Sequence, residues 1–191
     1  MNTEELNALK DRAYKTAVEH GFHEEEKPDA YWLGLVMSEM GEAINADRKG
    51  IRANIKHFEL DMSKGHSFST CFEWNIKDGV EDELADIVIR LLDFAGLKDI
   101  CLNCRIYSAP TIDFALDTFE KSGMPGMLFY LIGSLYNSAN FYEFSKAVCS
   151  VITIFTENFK KITGSDKALW YFVKKKMRYN ELRPKLNGKK Y

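Results

Sequence analysis

The spacing of the apolar residues constrains the fold of this chain more than any other feature of its sequence. Apolar residues recur every three to four positions, in segments that begin at capping residues and end at glycines. No segment shows the strict alternation of a strand between hairpin turns. The sequence therefore predicts an all-α fold, with helices over residues 2–21, 30–49, 79–95, 111–123, 125–137, 141–162 and about 165–179. The expected caps are Asn2, Thr111 and either Ser165 or Asp166, and the expected stops are Gly21, Gly50, Gly96 and Gly164.

The chain length predicts one domain spanning residues 1–191. Residues 51–77 are polar and mixed, so we expect an extended excursion without assigning its structure. The segment from Arg183 onward is basic and contains Pro184 and Gly188, which predicts a C-terminal tail. Beyond Tyr179 the chain is poor in apolar residues, so packing alone is not expected to hold it in place.

The charge balance argues against a nucleic-acid partner, because 28 acidic and 26 basic residues give a net charge of −2. The longest apolar stretch, Met124 to Tyr136, is shorter than the ~20 residues that span a bilayer. A charged N-terminus without a signal peptide, and four cysteines without a disulfide framework, predict a cytoplasmic protein. The pair Cys101 and Cys104 lacks the partners of a zinc site, so we expect small buried thiols in a turn.

The second predicted helix places two carboxylates among apolar residues. Glu39 and Glu42 lie about 60° apart in helical projection. They face away from the expected core stripe, which consists of Leu33, Val36, Met37, Met40 and Ile44. Their neighbours on that side are Trp32, Leu35, Ala43 and Ala46. Burying carboxylates in such surroundings is costly unless a cation meets them.

The third predicted helix repeats the pattern. Glu83, Asp86 and Asp93 lie beside an apolar stripe, with Arg90 between the last two. The stripe consists of Val80, Leu84, Ile87, Val88 and Leu91. If the two helices pack together, their acid pairs converge, and oxygen ligands of this kind suit Mg²⁺. Spacing alone leaves open a plain ion pair between Asp86 and Arg90 on a solvated surface.

Three segments together resemble the all-α, MazG-like nucleotide pyrophosphohydrolases. The segments 38–43 (SEMGEA) and 83–87 (ELADI) are similar to the paired E-x-x-E and E-x-x-D helices of that superfamily. The segment 176–184 (KMRYNELRP), followed by 187–189 (NGK), resembles its K-x-x-Y-N-x-x-R-P…H-G-K tail. The resemblance does not extend to residues 51–77 or 97–165.

The resemblance implies a helical-bundle enzyme that uses Mg²⁺, with Mn²⁺ as an alternative, to cleave a (d)NTP to the monophosphate and pyrophosphate. Glu39, Glu42, Glu83 and Asp86 would be the catalytic metal ligands. The expected substrate-binding residues are Lys176, Asn180, Arg183, Lys189 and Arg90. The tail would close over the triphosphate, since its cations gain charge-assisted hydrogen bonds there.

The chain departs from the family pattern at several positions. Ser38 stands where many relatives carry another Glu, and Asn187 replaces the usual tail His. Arg90 occupies a position where several relatives have Tyr, so contacts to base or phosphate differ there. About 40 residues separate Glu42 from Glu83, which is more than in compact members.

Two alternative functions remain open at the level of sequence. One is a hydrolase specific for phosphoribosyl-ATP or dUTP, and the other is a regulatory helical module that binds metal or nucleotide without turnover. Trp32, Phe22 and Trp74 are candidates for stacking on a base, although core packing is favoured for Trp32. Apolar residues on several sides of the second and third helices, such as Leu35 and Ile89, predict a homodimer or higher homo-oligomer.

Overall fold

The computed structural model describes residues 1–103, 105–138 and 140–185. Within these residues the chain forms eight helices and no strand, so the all-α prediction is confirmed. The helices are α1 (Thr3–Glu19), α2 (Asp29–Arg48), α3 (Ile55–Ser63), α4 (Phe68–Asn75), α5 (Val80–Leu97), α6 (Ala109–Tyr136), α7 (Phe141–Thr163) and α8 (Leu169–Glu181).

Helix α5 lies at the centre and packs against α1, α2, α7 and α8. All five residues of its predicted apolar stripe are fully buried, which confirms that prediction. Gly96 does not end the helix as expected, since α5 continues to Leu97. A Cβ at Gly96 would lie 2.5 Å from the Cβ of Tyr14, so glycine is required there for α1 to approach α5 closely.

The core face of α2 is rotated relative to the predicted stripe. Val36 and Met40 are buried as expected, but Met37 is exposed and Trp32 is buried in its place. Glu39 belongs to the buried side as well. The sequence did not decide the rotation because α2 carries apolar residues around most of its circumference, and packing against α5 and α6 selects one face.

Residues 51–77 contain a short helical hairpin, α3 and α4, whose first turns are capped by Asn54 and Ser67. The hairpin is attached to α8 by Phe72, whose ring stacks on Tyr179 with centroids 4.6 Å apart. The Tyr179 hydroxyl also donates to Glu73 Oε1 at 2.8 Å. Residues 51–77 are therefore a packed part of the domain, and they lead to the start of α5.

The predicted helix ends are confirmed in some places and wrong in others. Asn2 and Glu5 form a capping box, and Gly164 ends α7 in the left-handed conformation. Ser108, rather than Thr111, caps α6, which is kinked at Gly123 between its two predicted halves. Neither Ser165 nor Asp166 caps α8, which begins after Ala168 without a side-chain cap.

Among the described residues, no helix has the length and apolar character needed to cross a membrane. Cys101 is exposed, so the expectation of a buried thiol at that position is wrong. Cys104 lies outside the described residues.

Candidate active site

A cleft of about 190 Å³ opens between α1, α2, α5 and α8. It brings together residues that are more than 140 positions apart, and eight of the nine predicted site residues line it. These eight are Glu39, Glu42, Glu83, Asp86, Arg90, Lys176, Asn180 and Arg183. The ninth, Lys189, lies outside the described residues, as does Asn187.

Three of the four predicted metal ligands form a tight acidic cluster. Each of Glu39, Glu83 and Asp86 offers a carboxylate oxygen within 4.8 Å of the other two. We call these three residues the acid triad. Glu42 lines the same cleft but is exposed and lies outside the triad. The structure therefore separates the predicted ligand set into three converging carboxylates and one at the rim.

Arg90 compensates the first carboxylate of the triad. Its Nε donates to Glu39 Oε1 at 2.9 Å, and its guanidinium lies 5.6 Å from the ring centre of Phe22. Burial opposes the charge, but Glu39 and Asp86 hold the pKa of Arg90 above its usual value. Burial and the nearby Asp86 raise the pKa of Glu39, and Arg90 opposes that shift. Arg90 thus pairs across to α2 instead of forming the simple pair with Asp86 considered from the sequence.

Lys176 compensates the other side of the cluster. Its Nζ lies 2.7 Å from Asp82 Oδ2 and 2.7 Å from Asp86 Oδ2, and the side chain is buried. Burial opposes its charge, yet the two carboxylates hold the pKa of Lys176 above its usual range. Lys176 lines the cleft, and its ammonium is shared by two carboxylates of α5; a role in binding phosphate stays a prediction.

Asp82 is a site residue that the sequence analysis missed. It is fully buried, and besides holding Lys176 its Oδ2 accepts from the backbone N–H of Asp78 at 3.1 Å. Asp78 has a positive φ of 63°, an unusual conformation for a residue with a side chain. Burial raises the pKa of Asp82, and the Lys176 ammonium opposes the shift. Asp82 lies in the first turn of α5 between Glu81 and Glu83, which made it look like an ordinary solvated acid.

Glu83 has the least compensated carboxylate in the triad. Burial, together with the charges of Asp86 and Asp82, raises the pKa of Glu83 to about 8. Its Oε2 is buried and has no hydrogen-bond partner among the described residues. A buried acceptor of this kind is costly, and a bound cation would satisfy it.

Asp93, which lines the cleft, belongs to a buried polar pair. Asp93, the third acid of the α5 stripe, accepts from His23 Nε2 at 2.7 Å. Burial raises the pKa of Asp93, and the hydrogen bond from His23 opposes the shift. The His23 ring packs against Trp32 with centroids 4.6 Å apart, which confirms a core role for Trp32. Trp74 is exposed and packs against His66, away from the cleft lining, whereas Phe22 lines the cleft.

The C-terminal segment is held by polar contacts as far as Lys185. Arg12 Nε donates to Glu181 at 2.7 Å, and His20 Nε2 lies 2.9 Å from the backbone carbonyl of Arg183. Lys185 pairs with Glu24. Residues 180–185 are thus held by polar contacts, which agrees with the expectation that apolar packing alone does not hold the chain beyond Tyr179.

Lys77 also lines the cleft and was missed, because it is the last residue of a segment, 51–77, to which the sequence analysis assigned no structure. Its Nζ contacts both carboxylate oxygens of Asp78 at 2.6 and 2.7 Å.

No protein-family model matches this chain, and comparison with curated proteins and with solved structures finds no significant similarity.

Proposed function

We propose that the protein is a Mg²⁺-dependent nucleotide pyrophosphohydrolase of the all-α, MazG-like type, which cleaves a (d)NTP to the monophosphate and pyrophosphate. One observation carries the proposal: the acid triad shares a cleft with Arg90, Lys176, Asn180 and Arg183, and these seven residues come from three separate stretches of sequence. The resemblance of the two acidic helices and the tail to that superfamily supports the same function.

The donor atoms of the triad fit Mg²⁺. Carboxylate oxygens are its preferred protein ligands, and opposite ligands at ~2.1 Å from the ion lie about 4.2 Å apart. The triad oxygens lie within 4.8 Å of one another, so small side-chain shifts would bring all three into contact with one ion. The unpartnered Glu83 Oε2 provides an acceptor without a competing donor. When bound, the ion would neutralise phosphate oxygens and activate a water molecule for attack at the α-phosphorus.

The residues of the chain have separate roles in this proposal. Arg90 orients Glu39 and Lys176 orients Asp86, so both carboxylates are positioned before a ligand arrives. Arg183 and Lys77 contribute cations to the cleft wall, where they would stabilise the charge that develops on the departing pyrophosphate. Asn180 would hydrogen-bond a phosphate or sugar oxygen. Ala13, Ala17 and Phe22 form an apolar part of the lining that suits the face of a base.

The internal ion pairs also favour a second candidate, a helical module that binds metal or nucleotide without turnover. In that case Arg90 and Lys176 would already neutralise the acids, and no reaction would follow. A hydrolase specific for phosphoribosyl-ATP or dUTP remains a narrower form of the enzyme proposal.

One experiment separates these functions. The purified protein is incubated with a panel of nucleoside triphosphates, dUTP and phosphoribosyl-ATP, with Mg²⁺, with Mn²⁺ or with a chelator. We expect metal-dependent release of pyrophosphate and a monophosphate from at least one triphosphate. Binding without product would overturn the enzyme proposal and support the regulatory module, whereas turnover unaffected by chelator would overturn the metal site.

The role of Lys189 is tested by deleting residues 186–191, which keeps every contact described for Glu181, Arg183 and Lys185. We expect a lower kcat/KM for the triphosphate and unchanged metal binding, because the acid triad remains. An unchanged kcat/KM would remove Lys189 from the site.

A further inference from the structure

The second half of α6 exposes an aromatic surface that nothing in the active-site cleft explains. Residues Ser122 to Tyr142 form a stretch of the sequence without a charged side chain. Five aromatic residues in and around this stretch are between 54% and 81% exposed. They are Phe114, Phe129, Tyr136, Phe141 and Tyr142, which we call the aromatic patch.

Helical projection separates the patch from the core side of the same helix. Phe129, Ile132, Gly133 and Tyr136 fall on one face, because they are spaced by three and four residues. The opposite face is buried and consists of Met124, Met127, Leu128, Leu131 and Leu135. The helix is thus apolar on both sides, and α7 and α2 pack against it.

The surface has the size of a protein interface. Aromatic side chains bury ~150–250 Å² each, so five that are roughly two-thirds exposed present about 500–800 Å². A standard interface buries about 800 Å² per partner, whereas single exposed apolar residues need no explanation. Taken together, these five side chains expose an area comparable to one side of a standard protein interface.

Its composition argues against a lipid surface. A helix that lies on a membrane carries Lys and Arg along the edge of its apolar face. No residue of this kind occurs between Lys121 and Lys146.

The patch is complementary to itself. Phe129 projects from the helix, and a Cβ placed at Gly133, one turn further, would have no neighbour within 4 Å. If two copies of α6 pack antiparallel around a twofold axis near Leu131, Phe129 of each copy enters the notch at Gly133 of the other. A twofold interface requires this reciprocal matching of one surface with itself.

We propose that the protein forms a twofold homodimer through α6, in which Phe129 of each copy packs on Gly133 of the other. This surface differs from the one suggested by the sequence, which pointed to α2 and α5. Those helices do not present it, because Trp32 is buried and Leu35 and Ile89 pack against the core. The proposal is independent of the enzymatic function.

The mass in solution of four proteins tests the proposal: the wild type, Phe129→Lys, Gly133→Glu and the control Trp74→Lys. We expect dimers for the wild type and for Trp74→Lys, which adds the same charge to another exposed aromatic position. Phe129→Lys and Gly133→Glu should be monomers with unchanged helix content, because both positions are free of core contacts. A monomeric wild type at tens of micromolar, or a dimeric Phe129→Lys, would overturn the proposal.

A mixture of the two variants tests the register. In a heterodimer of Phe129→Lys with Gly133→Glu, one contact becomes a lysine–glutamate pair and the other remains native. We therefore expect the mixture to recover the dimer mass that neither variant shows alone. If the mixture stays monomeric, the antiparallel pairing of residues 129 and 133 is wrong.

Discussion

The cleft and the aromatic patch differ in what they expose to water: the cleft buries charged side chains, whereas the patch exposes aromatic rings. At the cleft, α5 buries Asp82, Glu83 and Asp93, while at the patch α6 and α7 expose large aromatic rings. Buried charge requires compensation, which Arg90, Lys176 and His23 supply in part. A cluster of exposed rings is stabilised when a partner surface covers it, and the proposed second copy of the chain would supply that surface. Each region is therefore unfavourable alone, and each indicates a ligand of a different kind.

The compensation at the cleft should produce the largest effect. Replacing Lys176 by Met leaves Asp82 buried beside Asp86 without a cation, which should lower the free energy of unfolding by about 3–5 kcal/mol. Urea denaturation measures this loss. Lys175→Met is the matched control, because Lys175 lies over the rings of Phe58, Phe68 and Tyr171 and its loss should cost about 1 kcal/mol or less.

A double variant sharpens the same test. Adding Asp82→Asn to Lys176→Met removes the charge that was left unpaired, so part of the lost stability should return. If the two substitutions are simply additive, Lys176 does not act through Asp82.

The acid triad should produce the next largest effect, on catalysis. Asp86→Asn is expected to reduce kcat/KM by at least ~100-fold, since a ligand that places the metal is lost. Glu42→Gln, at the rim of the cleft, should cost about 10-fold or less, although the same role is predicted for both residues from the sequence. Steady-state kinetics with metal titration compares them. Equal losses for the two variants would return Glu42 to the ligand set.

The pH dependence of stability tests whether the cleft holds more negative charge than its cations neutralise. The pKa of Glu83 is about 8 in the folded protein and near 4.5 when unfolded, so the folded state retains a proton that the unfolded chain releases between these values. Metal-free stability should therefore fall by about 1–3 kcal/mol as the pH rises from about 5 to about 8. Glu83→Gln should flatten this slope, while Glu42→Gln should reduce it much less, because the Glu42 charge is a minor cause of the raised pKa of Glu83. A chelator-treated wild type that gains stability over this range would contradict the prediction.

Substitutions at two glycines should produce the smallest effects on stability. Gly96→Ala should destabilise the protein by about 1–3 kcal/mol, because the added methyl group meets Tyr14 where α5 packs on α1. Gly133→Ala should stabilise it by about 0.5–1 kcal/mol, because it removes a helical glycine in open space. Thermal unfolding of both, in a Phe129→Lys background that excludes dimer contacts, gives the sign of each effect.

The sequence predicted those features that depend on neighbouring residues. The capping box at Asn2, the end of α7 at Gly164 and the apolar stripe of α5 all follow from short spacings, and all were confirmed. The rotation of α2 and the cap of α8 were wrong, because packing against other helices decides them. Asp82 was missed for the same reason: its partner, Lys176, lies 94 positions away. The resemblance to the MazG-like family pointed to residues that line one cleft, but it did not show which acidic and basic side chains form ion pairs there.

The central position of α5 has a consequence for synthesis of the chain. Helix α5 is complete at Leu97, but α8, which covers one of its sides and carries Lys176, begins only at Leu169. Because the ribosome releases the N-terminal part first, Asp82 and Asp86 emerge long before their counter-ion exists. Until α8 is synthesised, Lys176 is not available to neutralise Asp82 and Asp86, and the side of α5 that α8 covers stays exposed. Helix α8 therefore completes the charge compensation of α5 well after α5 itself has been synthesised.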